Sequence, residues 1–455
     1  MKKDSKYVLR LTYYVLRINS EFKNQKSPIG NLRSMRMHSL PIIFPEEVDY
    51  ECTQCGKCCS IPWEIPLKED DIQRIRSVDW SESKSELKGQ PLIVARKSSP
   101  DLMTLQREEN GKCVFLLEDN RCLIHAERGL EYKPQACQQF PYVFTDTPKG
   151  KFVGVSFATP GIESSNSEPL RRYEERLTKL AEQPYHHRSI QDKVTFDPGH
   201  EISFDEALAL EGGLLDLLEP GFDLEDDLVA GGIYLEQFQQ FLRETLGEKE
   251  QPAIDFSEGW KRIGYRRIRE TAGKYKSSPV AQRSFLTNFV MCVEAAYSEG
   301  SSIRGMFRAF MAQIGASLKI GSVRLQSLDA VLAFDAHASV NFDSSDRRIT
   351  DPIRLYVRHV IYRKRLIPYC GIKMGYMLLC IYFALIRWFA QAMATVRGSN
   401  EVEPQDVAES IETVERYYVL HTRFDQVFEN RLIQTLLNKA ANQKLFLGTI
   451  VRSGT

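Results

Sequence analysis

An excess of charge of either sign is missing from this chain: 60 Lys and Arg face 60 Asp and Glu across 455 residues, for a formal net charge of zero. A protein that works mainly on nucleic acid carries a basic field, so nucleic acid is excluded as the main partner. Long apolar runs are missing too. The most apolar stretch, residues 375–386, lies between Lys373 and Arg387 and is far shorter than the about 20 residues a spanning helix needs. It is read as a buried core helix, and the chain as not membrane-spanning. Near the N-terminus Arg10 and Arg17 interrupt the apolar residues, so no secretory leader is read there and the expected compartment is the cytoplasm. Internal repeats and low-complexity runs are absent. So are the G-x-S-x-G elbow, the P-loop, H-E-x-x-H and a G-x-G-x-x-G after a strand, which removes the commonest hydrolase, nucleotide-binding and zincin chemistries.

Cysteine is what the chain does have, and it is unevenly spread. Of ten cysteines, seven fall between Cys52 and Cys137, four of them in Cys52-Thr53-Gln54-Cys55-Gly56-Lys57-Cys58-Cys59. Two residues between cysteines let a tight turn aim both sulfurs at one ion, with backbone N–H groups left to donate to the thiolates. Gly56 suits that turn because it takes a positive φ without a side-chain clash. Cys52, Cys55 and Cys58 reproduce the C-x-x-C-x-x-C opening of ferredoxin runs, but Cys59 follows at once where a ferredoxin has three residues, then Cys-Pro. Adjacent cysteines point in different directions, so Cys59 is assigned to a second ion or the far side of a cluster. More donors come from a distance: Cys113, Cys122, His125 and Cys137. Together the eight side chains suffice for two four-coordinate sites, or for one iron–sulfur cluster and one zinc.

Other readings of these residues are weaker. A disulfide framework needs an oxidising compartment. His125-Ala126-Glu127 imitates the H-x-E of zinc deaminases, but their P-C-x-x-C half has no counterpart after Pro134. His125 also reads as an ordinary hydrogen-bonding histidine in a turn. Cys292, Cys370 and Cys380 are read as inert buried thiols, and His186-His187 as solvated loop.

Order and flanking residues carry a resemblance. Cys52-x-x-Cys55-Gly56-x-Cys58-Cys59, Gly111-x-Cys113-x-Phe115-Leu116, Cys122-x-Ile124-His125 and Pro134-x-x-Cys137-x-x-Phe140-Pro141 resemble the YkgJ-type cysteine-cluster family over about residues 48–162. The resemblance implies a zinc- or iron-chelating domain. More distantly, a cluster followed by a long helical half is similar to flagellin lysine-N-methylase. That would imply an S-adenosylmethionine-dependent enzyme with an iron–sulfur centre and a protein substrate. One departure stands out: relatives often have a cysteine before the proline at Pro160, and this chain has Thr159.

The expected organisation is mixed: a basic N-terminal extension (1–44), a small metal-stabilised α+β cysteine-cluster domain (45–165), and a mainly α-helical domain (166–455). Short strands are expected at 102–106, 113–117 and 152–157, with turns at 109–111 and 148–150, and a polar linker at 162–167. Acids then bases from Lys68 to Ile75 mark a helix. Beyond, Pro169 opens a helix, and Ser203-Phe204-Asp205-Glu206 caps another that Gly212-Gly213 interrupts or ends. Further stripes are read at 233–246, 285–296, 303–318 and 407–420. Asp351-Pro352 starts a helix that closes on Arg363, Lys364 and Arg365. The partners expected are a metal ion or cluster and, beyond it, a protein substrate or partner.

Overall fold

Of the short strands expected in the first third of the chain, those at 102–106 and 152–157 form, and among the described residues the stripes at 233–246 and 407–420 are helical. The protein, in a computed structural model, is described at residues 41–60, 63–96, 100–162, 167–182, 187–245, 264–276, 321–325, 327–333, 336–365, 371–420 and 444–452, at Ile367, and at scattered positions from 278 to 294. The stripe read at 303–318, the core of the linker and most of the basic extension lie outside these residues, as do Cys292 and Cys370. The architecture is the mixed one: an α/β region followed by a mainly helical one. Two compact units make it up, residues 41–192 with 362–368, and residues 193–361 with those from 369 on.

The first unit holds β1 (Ile42–Ile43), β2 (Asp49–Tyr50), α1 (Lys57–Ser60), α2 (Glu69–Arg76), β3 (Ile93–Ala95), β4 (Met103–Leu105), α3 (Leu123–Arg128), α4 (Gln135–Gln139), β5 (Tyr142–Thr147), β6 (Gly150–Val155), β7 (Glu168–Pro169), α5 (Glu174–Glu182) and β8 (His187–Ser189). One sheet runs β1-β6-β5-β8, with β5 and β6 antiparallel and the outer pairs parallel; β2–β7 and β3–β4 are two-stranded ladders. Residues 113–117, expected as a strand, form a turn closed by Leu116 N–H on the Cys113 carbonyl at 2.9 Å. Single bridges, Arg107 to Cys113 and Leu116 to Cys122, flank it, so no ladder forms. Lys84 Nζ donates to the Val114 and Leu116 carbonyls at 2.9 and 3.1 Å and holds the turn shut.

The second unit holds β9 (Lys193–Asp197), β10 (His200–Ser203), α6 (Phe204–Leu217), α7 (Leu224–Thr245), α8 (Tyr265–Ala272), β11 (Ser322–Leu325), β12 (Ala330–Ala333), α9 (Arg347–Tyr362), α10 (Ile372–Arg397), α11 (Pro404–Val414), a π-helical turn (Glu415–Leu420) and α12 (Lys444–Val451). The capping box at α6 is made as expected: Glu206 N–H donates to Ser203 Oγ at 3.2 Å, and Ser203 N–H to Glu206 Oε2 at 2.6 Å. The glycine pair does not break this helix. It runs through both, because a Cβ at Gly213 would overlap the ring and hydroxyl of buried Tyr234 on α7. The glycine serves close packing, not termination.

Helix α9 begins before Asp351-Pro352, at Arg347, where Asp346 Oδ1 accepts the Arg348 N–H at 2.9 Å. Pro352 inside the helix costs about 3 kcal/mol. Burial of Ile349, Ile353, Tyr356, Val357 and Val360 along one stripe outweighs it at about 1.5–3 kcal/mol each. The helix ends at Tyr362, and Arg363, Lys364 and Arg365 are buried in the first unit instead of facing solvent at a helix end. Arg363 donates to the Val155 carbonyl at 3.0 Å, its own carbonyl accepts from Thr145 Oγ1 at 3.1 Å, and Lys364 lies over the Phe152 ring.

Helix α10 is buried at almost every position from Ile372 to Ala390 and packs on α7, α11, α12 and β9. It is 26 residues long, enough by length and composition to cross a membrane, and 89% of its most apolar window is buried inside the protein. Lys373 and Arg387, which bounded the apolar run in the sequence, are inside the core too. Lys373 Nζ donates to Gln239 Oε1 and Arg387 to Glu225 Oε1, each at 2.7 Å. Cys380 sits on this helix, fully buried, its thiol pushed up by that burial.

Candidate metal centre

The Cys52–Cys59 segment is shaped by two left-handed residues, Gln54 at φ 52° and Gly56 at φ 70°. Gly56 is required twice over, since a Cβ there would also lie 2.9 Å from Asn120 Cβ. Its carbonyl accepts the Ser60 N–H and hydroxyl, both at 3.0 Å, which winds the single turn of α1 around Cys58 and Cys59. Arg107 locks that turn from outside, its guanidinium donating to the carbonyls of Cys59 at 2.6 Å and Trp63 at 2.9 Å. Trp63 Nε1 in turn donates to the Cys58 carbonyl at 3.1 Å.

The distant cysteines arrive on separate supports. Cys113 N–H donates to the Cys59 carbonyl at 2.9 Å, which fixes the 113–117 turn beside the octet. Cys122 is the N-cap residue of α3, whose first turn carries His125. Cys137 lies on α4, and α2 anchors that helix: buried Asp71 accepts the Gln135 N–H at 3.2 Å as well as the Lys68 N–H at 3.0 Å.

All eight candidate donors, Cys52, Cys55, Cys58, Cys59, Cys113, Cys122, His125 and Cys137, line one cavity of about 310 Å³. Among the described residues no three Cys, His, Asp or Glu side chains converge closely enough to bind one ion as they stand. They surround a space, not a point. Tyr50, Trp63, Phe115 and Phe140 supply apolar wall, and Lys133, Arg121 and Thr159 complete the lining with polar groups. Thr159 accepts from the Cys58 thiol at 3.6 Å.

Electrostatics show what the cavity lacks. Burial pushes the thiols of Cys59, Cys113 and Cys137 up, Cys137 to about 12, and charge on the neighbouring cysteines adds to it. Burial would lower the Lys133 ammonium, but charge on Cys137, Cys122, Cys59 and Cys52 outweighs it and holds Lys133 up. The His125 imidazole is held below its usual value by burial first and then by the Lys133 charge, a shift toward the neutral form that binds metal. Seven thiols and an imidazole are soft and borderline donors, so the residues fit a soft or borderline metal: the thiolates would hold it, and its charge, with that of Lys133, would favour their ionised form.

No sequence pattern marks Lys133 or Arg107 as part of the site. Lys133 immediately precedes Pro134, and a lysine at a turn is usually solvated. Arg107 has a local partner in the Gly111 carbonyl at 3.3 Å, but the two carbonyls that tie it to the cysteine turn, those of Cys59 and Trp63, lie more than 40 residues away.

Residues 51–159 match the CxxCxxCC family, described as a "putative zinc- or iron-chelating domain". A stretch of 96 residues is 31% identical to an uncharacterized protein of Methanocaldococcus jannaschii; it makes up 21% of this chain and 30% of that protein, so the chain spans under a third of that relative's length. No solved structure matches. Zinc or iron chelation is the function that the family match supports for residues 51–159.

Proposed function

We propose that the chain is a metal-binding protein of the YkgJ type, in which Cys52, Cys55, Cys58, Cys59, Cys113, Cys122 and Cys137, with His125 in reach, hold zinc or an iron–sulfur cluster. The observation that carries this reading is that donors from four separate stretches of sequence line one cavity. A core alone would scatter such residues; a metal centre explains why they meet. The unit around them is small, and metal binding would add directly to its folding free energy.

Metal and acid-labile sulfide content of full-length protein purified without oxygen, with its visible spectrum, tests the reading. Iron with sulfide and a brown chromophore identifies a cluster, and zinc without colour identifies a zinc centre. A folded, metal-free protein with free thiols overturns it.

One observation favours a role beyond holding the fold. At about 310 Å³ the cavity reaches the size range of small-molecule sites, far above the roughly 30 Å³ of one water. The methylase resemblance would put S-adenosylmethionine there, with a protein lysine as acceptor. Saturable binding of S-adenosylmethionine to the metal-loaded chain would support that reading, and its absence would leave metal binding as the function.

A further inference from the structure

The seven thiols of the cavity are not equivalent in the fold. Cys113 belongs to the apolar core of the first unit with Ile75, Trp80, Phe115 and Leu123, and Cys59, Cys122 and Cys137 pack against that same core. Cys52, Cys55 and Cys58 are not part of it; Cys52 is exposed, while Cys55 and Cys58 are half-buried, as Cys59, Cys122 and Cys137 are, so packing against the core, not exposure, separates the two sets. The backbone draws the same line. Cys113 is bonded directly to Cys59, whereas the Cys58 thiol turns away from its neighbour to the Thr159 hydroxyl. Adjacent cysteines therefore face different surroundings, as their adjacency requires.

We infer that the thiolates divide into two metal sites: an inner one made by Cys59, Cys113, Cys122 and Cys137, and an outer one made by Cys52, Cys55 and Cys58 with its fourth position open to solvent. This rests on the metal-binding reading above. Four thiolates close a tetrahedral site, the pattern of structural zinc. Three thiolates leave one position for an exogenous ligand, the pattern of sites that do chemistry or exchange their metal. Thr159 stands beside Cys58, where a fourth thiolate would otherwise close the outer site, and its neutral hydroxyl is a poor ligand for a soft metal. Water, or an incoming thiol, takes that place. His125 lines the same cavity, and the division assigns it to neither set.

Full-length protein produced in cobalt-supplemented medium separates the possibilities, because cobalt reports its ligands in the visible spectrum. The wild type is expected to hold about two cobalt ions per chain, one released readily to a chelator and one only on unfolding. Cys55→Ala should stay folded with about half the cobalt, all of it slowly released; His125→Gln should keep both ions. Added 2-mercaptoethanol should shift the wild-type spectrum and leave that of Cys55→Ala unchanged. Cys137→Ala should lose the slowly released ion. Should it fail to fold, the Cys55→Ala stoichiometry and the thiol-induced shift still decide. Loss of all cobalt from folded Cys55→Ala, or one ion per wild-type chain, means a single shared centre and overturns the division while metal binding stands. A folded wild type with no metal and seven free thiols overturns both.

Discussion

Single residues set the walls of the cavity, and two of them make specific demands. Gly56→Ala forces a side chain into a left-handed position against Asn120 and should cost about 1–3 kcal/mol, measured by chemical denaturation of the metal-loaded protein. Arg107→Leu removes the guanidinium donor from the part-buried carbonyls of Cys59 and Trp63, leaving that of Cys59 with the Cys113 N–H. The expected loss is about 1–3 kcal/mol, together with faster release of metal to a chelator. A metal release rate equal to wild type would show that Arg107 supports the loop but not the centre. Neither role follows from residue type alone. Gly56 could be read from the octet, because a turn is a property of neighbours; Arg107 could not, because Cys59 and Trp63, which tie it to that turn, are distant in the chain.

Among the elements, the α6–α7 pair offers a test with opposite signs at adjacent positions. At Gly212 a Cβ meets nothing within 4 Å, so Gly212→Ala should stabilise the helix by about 1 kcal/mol through helix propensity. One residue on, Gly213→Ala drives a methyl into Tyr234 and should destabilise by about 1–3 kcal/mol, with both changes read from urea unfolding midpoints. A glycine pair in a helical stripe looks like a stop until the facing helix is known. Helix α10 teaches the same lesson with charge. Lys373 and Arg387 look like the ends of an apolar run, yet both lie within a longer helix, satisfied by Gln239 and Glu225 on α7.

Over the whole molecule, the two units should respond differently to conditions. Chelation should strip hydrogen-exchange protection from β5, β6 and residues 362–365, which belong to the cysteine unit, while α10 stays protected. Equal loss of protection in α10 would show that the units unfold as one. The helical unit has its own acid-sensitive lock. Asp197 accepts from Gly199 N–H at 2.8 Å, from Gln239, and from His200 Nδ1 at 2.7 Å. Burial would raise its carboxyl, but these donors outweigh it and hold it below the usual carboxylate range. A lowered folded value stabilises above the unfolded Asp value of about 4 and loses that contribution as pH falls through the folded one. The stability advantage of wild type over Asp197→Asn should therefore be full near neutrality and shrink below about pH 4, measured by unfolding at a series of pH values.

Features that depend on near neighbours are legible in the residues alone: the cysteine turn with its left-handed glycine, the capping box at Ser203, a helix read at Lys68–Ile75 and found at Glu69–Arg76, and the change from short strands to helical stripes. These are decided within three or four residues, the reach of a turn or of one helical hydrogen bond. Features that depend on packing between distant segments emerge with the folded chain. It gathered Cys113, Cys122, His125 and Cys137 around the cavity of the octet, put Lys133 among the thiols, and turned residues 113–117 from a strand into a turn. It also drew Arg363, Lys364 and Arg365 into the cysteine unit. Burial and contact are properties of the assembled core, and no local pattern encodes which segments, tens or hundreds of residues apart, will share it.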